Sequence, residues 1–173
     1  KASRDIDDRI GVIKSTIIPG STDEFSLKYR FIKIVFNPEF LTEANAIDDF
    51  ENQTRILLGG DLKATTKLKQ IYSAVFRKTP KIIKTDAKSA ELVKYVTNAF
   101  LSTKVSFANE IYQLCESLDL DYDKIIEMAT LDLRLGDSHW GVPGPDGDFG
   151  FGGHCFPKDL AALIEITKQK GNV

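Results

Sequence analysis

From Lys88 to Leu118 the chain runs 31 residues without a glycine or proline, and apolar side chains recur through it at Leu92, Val93, Val96, Phe100, Val105 and Ile111. A single helix satisfies that stretch, longer than the usual globular length of about 8 to 20 residues. Its apolar positions occupy more than one face, the pattern of a helix that bridges domains or packs against a second copy of itself.

Ahead of it, from Arg9 to Asp86, the apolar residues fall in short β-rich runs: Ile10 to Ile18, Phe31 to Phe36, Ile56 to Leu58 and Ile82 to Lys84. These read as buried strands. Between the third and fourth, Asp61 to Arg77 carries Leu62, Thr65, Leu68, Ile71, Tyr72 and Val75 at helical spacing, with Asp61 placed to cap the helix. Strands alternating with a helix predict a parallel α/β sheet. Downstream, Tyr122 to Thr130 reads as a helix and Asp137 to Gly153, with six glycines and two prolines, as a loop; Pro157 then opens a terminal helix running to about Lys168. The expected fold is α/β: a half-sheet over residues 1–87, then an all-helical segment over residues 88–173 with one long helix.

Composition narrows the function classes. The 23 Lys and Arg against 25 Asp and Glu give a net charge of −2, without the basic excess that marks a nucleic-acid binder. No apolar run approaches the roughly 18 residues of a membrane-spanning helix, and the opening KASRDIDDRIG has no apolar signal-peptide core. The chain therefore reads as cytoplasmic, with no membrane partner, and its two cysteines, Cys115 and Cys155, as free thiols.

The two thiols differ in setting. Ile111, Leu114 and Leu118 put Cys115 on an apolar helical stripe, which points to core packing. Cys155 follows a glycine-rich loop and precedes a helix start, where backbone N–H groups and the helix dipole favour a thiolate. Lys158 adds positive charge nearby, and Asp159 supplies a carboxylate in the first turn, so Cys155 is a candidate nucleophile. A metal site from His139, His154 and Cys155 lacks ligand spacing.

Three further groups stand out. Asn37 is placed to cap a helix opening at Pro38, which would stack Glu39 and Glu43 one turn apart. Such a like-charge pair reads either as a ligand or water site or as an acidic first turn that complements the helix dipole. On the long helix Lys94 and Asn98 share a face; the residues alone favour a solvated face over a pair of oxyanion donors. Ser15 and Thr16 end the first strand, at the edge of an open parallel sheet where ligands bind.

In order along the chain, Ser15-Thr16-Ile17-Ile18-Pro19-Gly20, Asn37-Pro38-Glu39-Phe40-Leu41-Thr42-Glu43, Glu91 to Asn98, and Gly152-Gly153-His154-Cys155-Phe156-Pro157-Lys158-Asp159 resemble the UDP-glucose/GDP-mannose dehydrogenase family. The last of these is the specific one. Asp132-Leu133-Arg134-Leu135-Gly136 resembles the UDP-glucose 6-dehydrogenase branch. The resemblance implies the C-terminal half of a Rossmann-like, NAD-binding parallel sheet domain followed by a helical central domain for dimerisation and catalysis. It also implies a twofold NAD-dependent oxidation of the sugar C6 alcohol to a carboxylate, through a thiohemiacetal and a thioester on Cys155. Lys94 and Asn98 would then stabilise oxyanions, Glu39 would act as general base in thioester hydrolysis, and Asp159 with Thr16 would position the water. Ser15, Thr16, Glu43 and Lys158 would lie on the cofactor side; Phe40, Leu41, Arg134, Phe149, Gly150 and Gly152 would contact the nucleotide sugar, Arg134 across the interface of a homodimer built on the long helix.

Three departures from the family pattern are visible. No Gly-x-Gly-x-x-Gly follows a strand here, so the chain reads as the middle of a longer enzyme that holds catalytic residues without most cofactor contacts. Ala44 replaces a common glycine, and Ser138 to Asp148 makes a long glycine-rich approach to the cysteine loop. The alternatives are a dehydrogenase for GDP-mannose or a UDP-N-acetylhexosamine, a noncatalytic dimerisation module, and a cysteine hydrolase using His139 or His154.

Overall fold

In the computed structural model, which describes residues 9–41, 45–76 and 80–171, strand β3 (Arg55–Gly60) sorts its side chains by parity. Ile56 and Leu58 turn to one face of the sheet, where they pack with Val35, Ala64 and Leu68; Leu57 turns to the other, with Phe36 and Ala90. That alternation is the period-two consequence of a pleated strand, and here it assigns each face its helix. The first face is covered by α3 (Leu62–Val75), the second by the start of α4 (Ala87–Ser117). Leu58, Val35 and Phe36 are wholly buried, and side chains of this kind each contribute about 1.5–3 kcal/mol by leaving water.

The remaining strands are β1 (Ile10–Ile13), β2 (Lys33–Phe36) and β4 (Lys81–Thr85), in the sheet order β1-β2-β3-β4. Two βαβ units make up the sheet. α1 (Ser21–Lys28) connects β1 to its parallel neighbour β2, and α3 connects β3 to its parallel neighbour β4. The pairing of β2 with β3 is antiparallel, Val35 opposite Gly60 and Phe36 opposite Gly59, so the sheet is mixed and not parallel throughout. The connection between them holds one described helix, the six-residue α2 (Ala46–Glu51). No longer crossover helix, the usual return between parallel strands, stands there among the described residues.

Glycine is required where β3 meets α4. A Cβ on Gly59 would sit 2.5 Å from the Cβ of Ala90 and 3.0 Å from the Cα of Ala87, so a small-residue contact draws the helix onto the sheet. Asp61 caps α3 as expected, accepting from Lys63 and Ala64 N–H at 3.0 Å each.

The chain divides into two compact units, Lys1–Lys94 and Tyr95–Val173. In the second, the remainder of α4 is followed by α5 (Tyr122–Ala129) and α6 (Cys155–Gln169), with no regular element between these two. Trp140 is the anchor of that long loop: its indole donates to Gly136 O at 2.8 Å, and its own carbonyl accepts from Tyr122 OH at 2.6 Å. Tyr112 on α4 meets the rings of Tyr122 and Phe149 at 5.3 and 5.6 Å. The last helix begins at Cys155, two residues before the expected Pro157. Proline is still admissible there, because the first-turn N–H groups have no intrahelical acceptors to lose.

No helix among the described residues is long and apolar enough to cross a membrane.

Candidate active site

In the first unit the site grows from the parallel register of β1 and β2, Ile13 beside Phe36, which releases the chain from both strands at one sheet edge. Lys14 to Pro19 leaves the first strand and Asn37 to Leu41 leaves the second. β1 is shorter than expected: it ends at Ile13, and Ser15 and Thr16 lie in the loop. Their hydroxyls take no hydrogen-bond partner among the described residues. Uncommitted donors at the carboxyl edge of neighbouring parallel strands fit the polar part of a dinucleotide.

No helix opens at Pro38, and residues 37–41 take no regular secondary structure. The reason is that Asn37 is not a cap but a buried hub. Its Nδ2 donates to Leu57 O at 3.0 Å, while its Oδ1 accepts from Lys14 Nζ at 3.1 Å and Tyr72 OH at 2.6 Å. Glu39 therefore has no helical turn on which to stack against Glu43, and Glu43 itself lies outside the described residues. Glu39 instead pairs with Lys14 at 3.3 Å, and its backbone carbonyl accepts from Lys94 Nζ at 2.6 Å. Burial, with the negative charge of Glu39 added, raises the Tyr72 phenol above its ordinary value. The ring of Phe40 lies 5.3 Å from Lys94 Nζ and 4.4 Å from the guanidinium of Arg55.

The second unit gathers another part. Cys155 is the exposed first residue of α6, with His154 at the cap position, whereas Cys115 is buried. One turn further along α6, Asp159 is 2% exposed. Its Oδ2 accepts from Asn98 Nδ2 at 2.6 Å and its Oδ1 from Lys158 Nζ, so a buried carboxylate is bracketed by an amide and an ammonium. Ahead of the cysteine, Gly150 and Gly153 take positive φ of 82° and 72°. Gly150 N–H donates to the buried Asn109 Oδ1 at 2.9 Å. A Cβ on Gly152 would lie 2.7 Å from Asp146 Oδ2. Phe149 is exposed apart from its ring contact with Tyr112. Arg134 is exposed and forks onto Asp132 within its own turn, Nε to Oδ1 at 2.9 Å, with no hydrogen bond or ion pair to Asp159 or Cys155.

Lys94 and Asn98 do not lie on a solvated face: they are 8% and 6% exposed. They belong to a stripe of buried polar residues along α4, Glu91, Lys94, Asn98, Ser102 and Asn109, spaced for one face of a helix. Residue type alone does not mark Glu91 and Asn109 as site residues; their spacing from Lys94 and Asn98 is the available signal. A cleft of about 480 Å³ at the opposite end of β2, beside Arg30, Lys33 and Asp86, contains none of the expected site residues.

Residues 3–78 match the family model for the NAD binding domain of the UDP-glucose/GDP-mannose dehydrogenase family, and residues 88–172 match that for its central domain. UDP-glucose 6-dehydrogenase AglM of Haloferax volcanii is 35% identical over 98% of this chain and 41% of its own length. The UDP-glucose 6-dehydrogenase of Rickettsia prowazekii is 38% identical over 98% of this chain and 39% of its own. A UDP-glucose dehydrogenase structure from Pyrobaculum islandicum superposes with a TM-score of 0.80 at 35% identity, covering 94% of this chain and 38% of that one. The chain thus spans about two fifths of the length of these relatives.

Proposed function

This chain belongs to the UDP-glucose/GDP-mannose dehydrogenase family, whose cofactor is NAD, and on that footing we propose that it supplies the reacting groups for oxidising UDP-glucose at C6 to UDP-glucuronate. The observation that carries the reading is the buried Asp159, held by Asn98 and Lys158 one helical turn after an exposed cysteine. A carboxylate is expensive to bury, and its place beside the Cys155 helix start suits a group that orients water for an acyl-enzyme.

When bound, NAD accepts the hydride lost at each of two oxidations, and Ser15, Thr16 and Lys158 are the residues proposed to hold it. The C6 alcohol gives up a proton and a hydride to become an aldehyde. Cys155 Sγ adds to that carbonyl, forming a C–S bond, and the oxygen takes a proton to complete a thiohemiacetal. Loss of a second hydride and proton leaves a thioester. Water adds, the C–S bond breaks, and the carboxylate leaves with Cys155 restored as a thiol. Lys94 and Asn98 donate to the C6 oxygen as negative charge develops there. Glu39, ion-paired with Lys14, takes a proton from the attacking water, and Thr16 and Asp159 orient it. Phe40, Leu41, Phe149, Gly150 and Gly152 line the sugar nucleotide in this reading. Covalent capture keeps the aldehyde from escaping between oxidations.

Along α4, Val96, Phe100, Phe107 and Leu114 are exposed, the last three at intervals of seven, which is the spacing of a helix seam. A homodimer through this helix, with Arg134 reaching the partner's nucleotide sugar, accounts for that stripe. Free thiols and a soluble dinucleotide cofactor suit the reducing cytoplasm.

The test is Glu39→Gln in the complete gene product, incubated with UDP-glucose and NAD and digested for mass spectrometry. An acyl adduct accumulating on the Cys155 peptide, absent in Cys155→Ser, is the expected result; an unmodified Cys155 in an otherwise slowed enzyme contradicts the covalent route.

A further inference from the structure

We infer that Glu91, which takes no part in the chemistry above, is a positioning residue that sets the cofactor-side loop Lys14–Pro19 against α4. Its carboxylate is wholly buried and accepts three hydrogen bonds across 69 to 71 residues of sequence: Gly20 N at 2.5 Å on Oε2, and Thr22 N at 2.9 Å and Thr22 Oγ1 at 2.6 Å on Oε1. These donors include the cap N–H of Gly20 and the first-turn N–H of Thr22, which an anion satisfies in charge as well as in hydrogen bonding.

A remote cap provides what a local one does not. The cap position of α1 is Gly20, at φ 105°, with no side chain to offer; a Ser, Thr, Asn or Asp there is the ordinary and cheaper way to close a helix start. Bringing a buried carboxylate from another helix costs desolvation. What it adds is a fixed distance. The loop that carries Ser15 and Thr16 leaves the sheet at Ile13 and is gripped again at Gly20. Three residues beyond Glu91 on α4, Lys94 grips the Glu39 carbonyl, in the segment that leaves the neighbouring strand. One turn of a rigid helix thus sets both loops at the carboxyl edge of β1 and β2. A rule of this kind matters where one loop holds the cofactor and its neighbour the nucleotide sugar, since loosening the first lets the Ser15 and Thr16 hydroxyls drift while the sheet stays folded.

This rests on the reading that Ser15 and Thr16 hold NAD, and the test separates the two claims. In the complete gene product, calorimetric Kd values for NAD and for UDP-glucose are measured with the melting temperature for Glu91→Gln, Thr22→Val, Thr22→Ser and Thr16→Ala. Glu91→Gln keeps the volume and turns an amide N–H toward an existing donor, so NAD binding weakens by about tenfold, the scale of one charge-assisted hydrogen bond, with UDP-glucose changed by less than about twofold. Thr22→Val, which deletes the hydroxyl bond alone, weakens NAD by about threefold, and Thr22→Ser restores wild-type binding; this pair carries the test if Glu91→Gln does not fold. Equal weakening of both ligands, or a lowered melting temperature with NAD binding unchanged, overturns the positioning role. If Thr16→Ala weakens NAD while Glu91→Gln and Thr22→Val do not, the inference fails alone. If Thr16→Ala leaves NAD binding intact, the cofactor reading of the loop fails and takes the inference with it.

Discussion

Asn98 Nδ2 lies 2.6 Å from Asp159 Oδ2, a contact between α4 and α6 from which water is excluded. Removing the amide leaves a buried carboxylate short of a partner, and Asn98→Ala is expected to cost about 1–3 kcal/mol of stability. Asp159→Asn, which removes the charge, costs less in Asn98→Ala than in the wild type. A double-mutant cycle by urea denaturation should return a coupling of about 1 kcal/mol or more; additive losses would mean the contact carries no energy.

The Gly59 contact predicts a packing defect where β3 meets the start of α4. Gly59→Ala drives a methyl against Ala90 and the α4 backbone, an overpacking worth about 1–3 kcal/mol. Combination with Ala90→Gly removes the nearest atom and should recover part of the loss. Equal stability of Gly59→Ala and wild type would show that α4 moves off β3 at no cost.

How much of this was legible in the residues varies by mechanism. Local rules sufficed for α3, where Asp61 and the apolar spacing declare both cap and face, and for the 31-residue α4, which holds no breaker. They also separated the buried Cys115 from the exposed Cys155. They failed at Asn37, because a cap and a hub use the same side-chain atoms, and Leu57, Tyr72 and Lys14 reach it only after the sheet has formed. The antiparallel junction of β2 and β3 depends on what the connection does not contain, which strand patterns do not encode. The buried polar stripe of α4 shares its spacing with a solvated face, so periodicity alone favoured the wrong environment for Lys94 and Asn98.

His139 gives a pH prediction. Burial, and then the positive charge of Lys104, hold its imidazole below the ordinary value. The folded state therefore resists a proton that the unfolded chain accepts near pH 6.5. Stability from this residue is complete above about pH 6.5 and is lost as pH falls from there through the folded value, at no more than about 1.4 kcal/mol per pH unit. His139 has a positive φ of 66°, which asparagine tolerates, so His139→Asn is the control. Melting temperatures at pH 7.5 and 5.5 should fall further in the wild type than in His139→Asn; parallel falls would remove His139 as the cause.

The exposed stripe on α4 predicts the assembly state. Phe100 is 68% exposed, so Phe100→Asp is benign to a monomer's fold and places a charge at the centre of the proposed seam. Light scattering on the complete gene product should show a dimer for the wild type and a shift to monomer in the variant. An unaltered mass would place the dimer contact elsewhere.

A two-step oxidation held on Cys155 is read directly in the NADH formed per UDP-glucose consumed by the complete gene product. Two NADH per sugar, with Cys155→Ser forming no UDP-glucuronate, is the predicted result. One NADH per sugar with a released aldehyde, or two in Cys155→Ser at the wild-type rate, would contradict it.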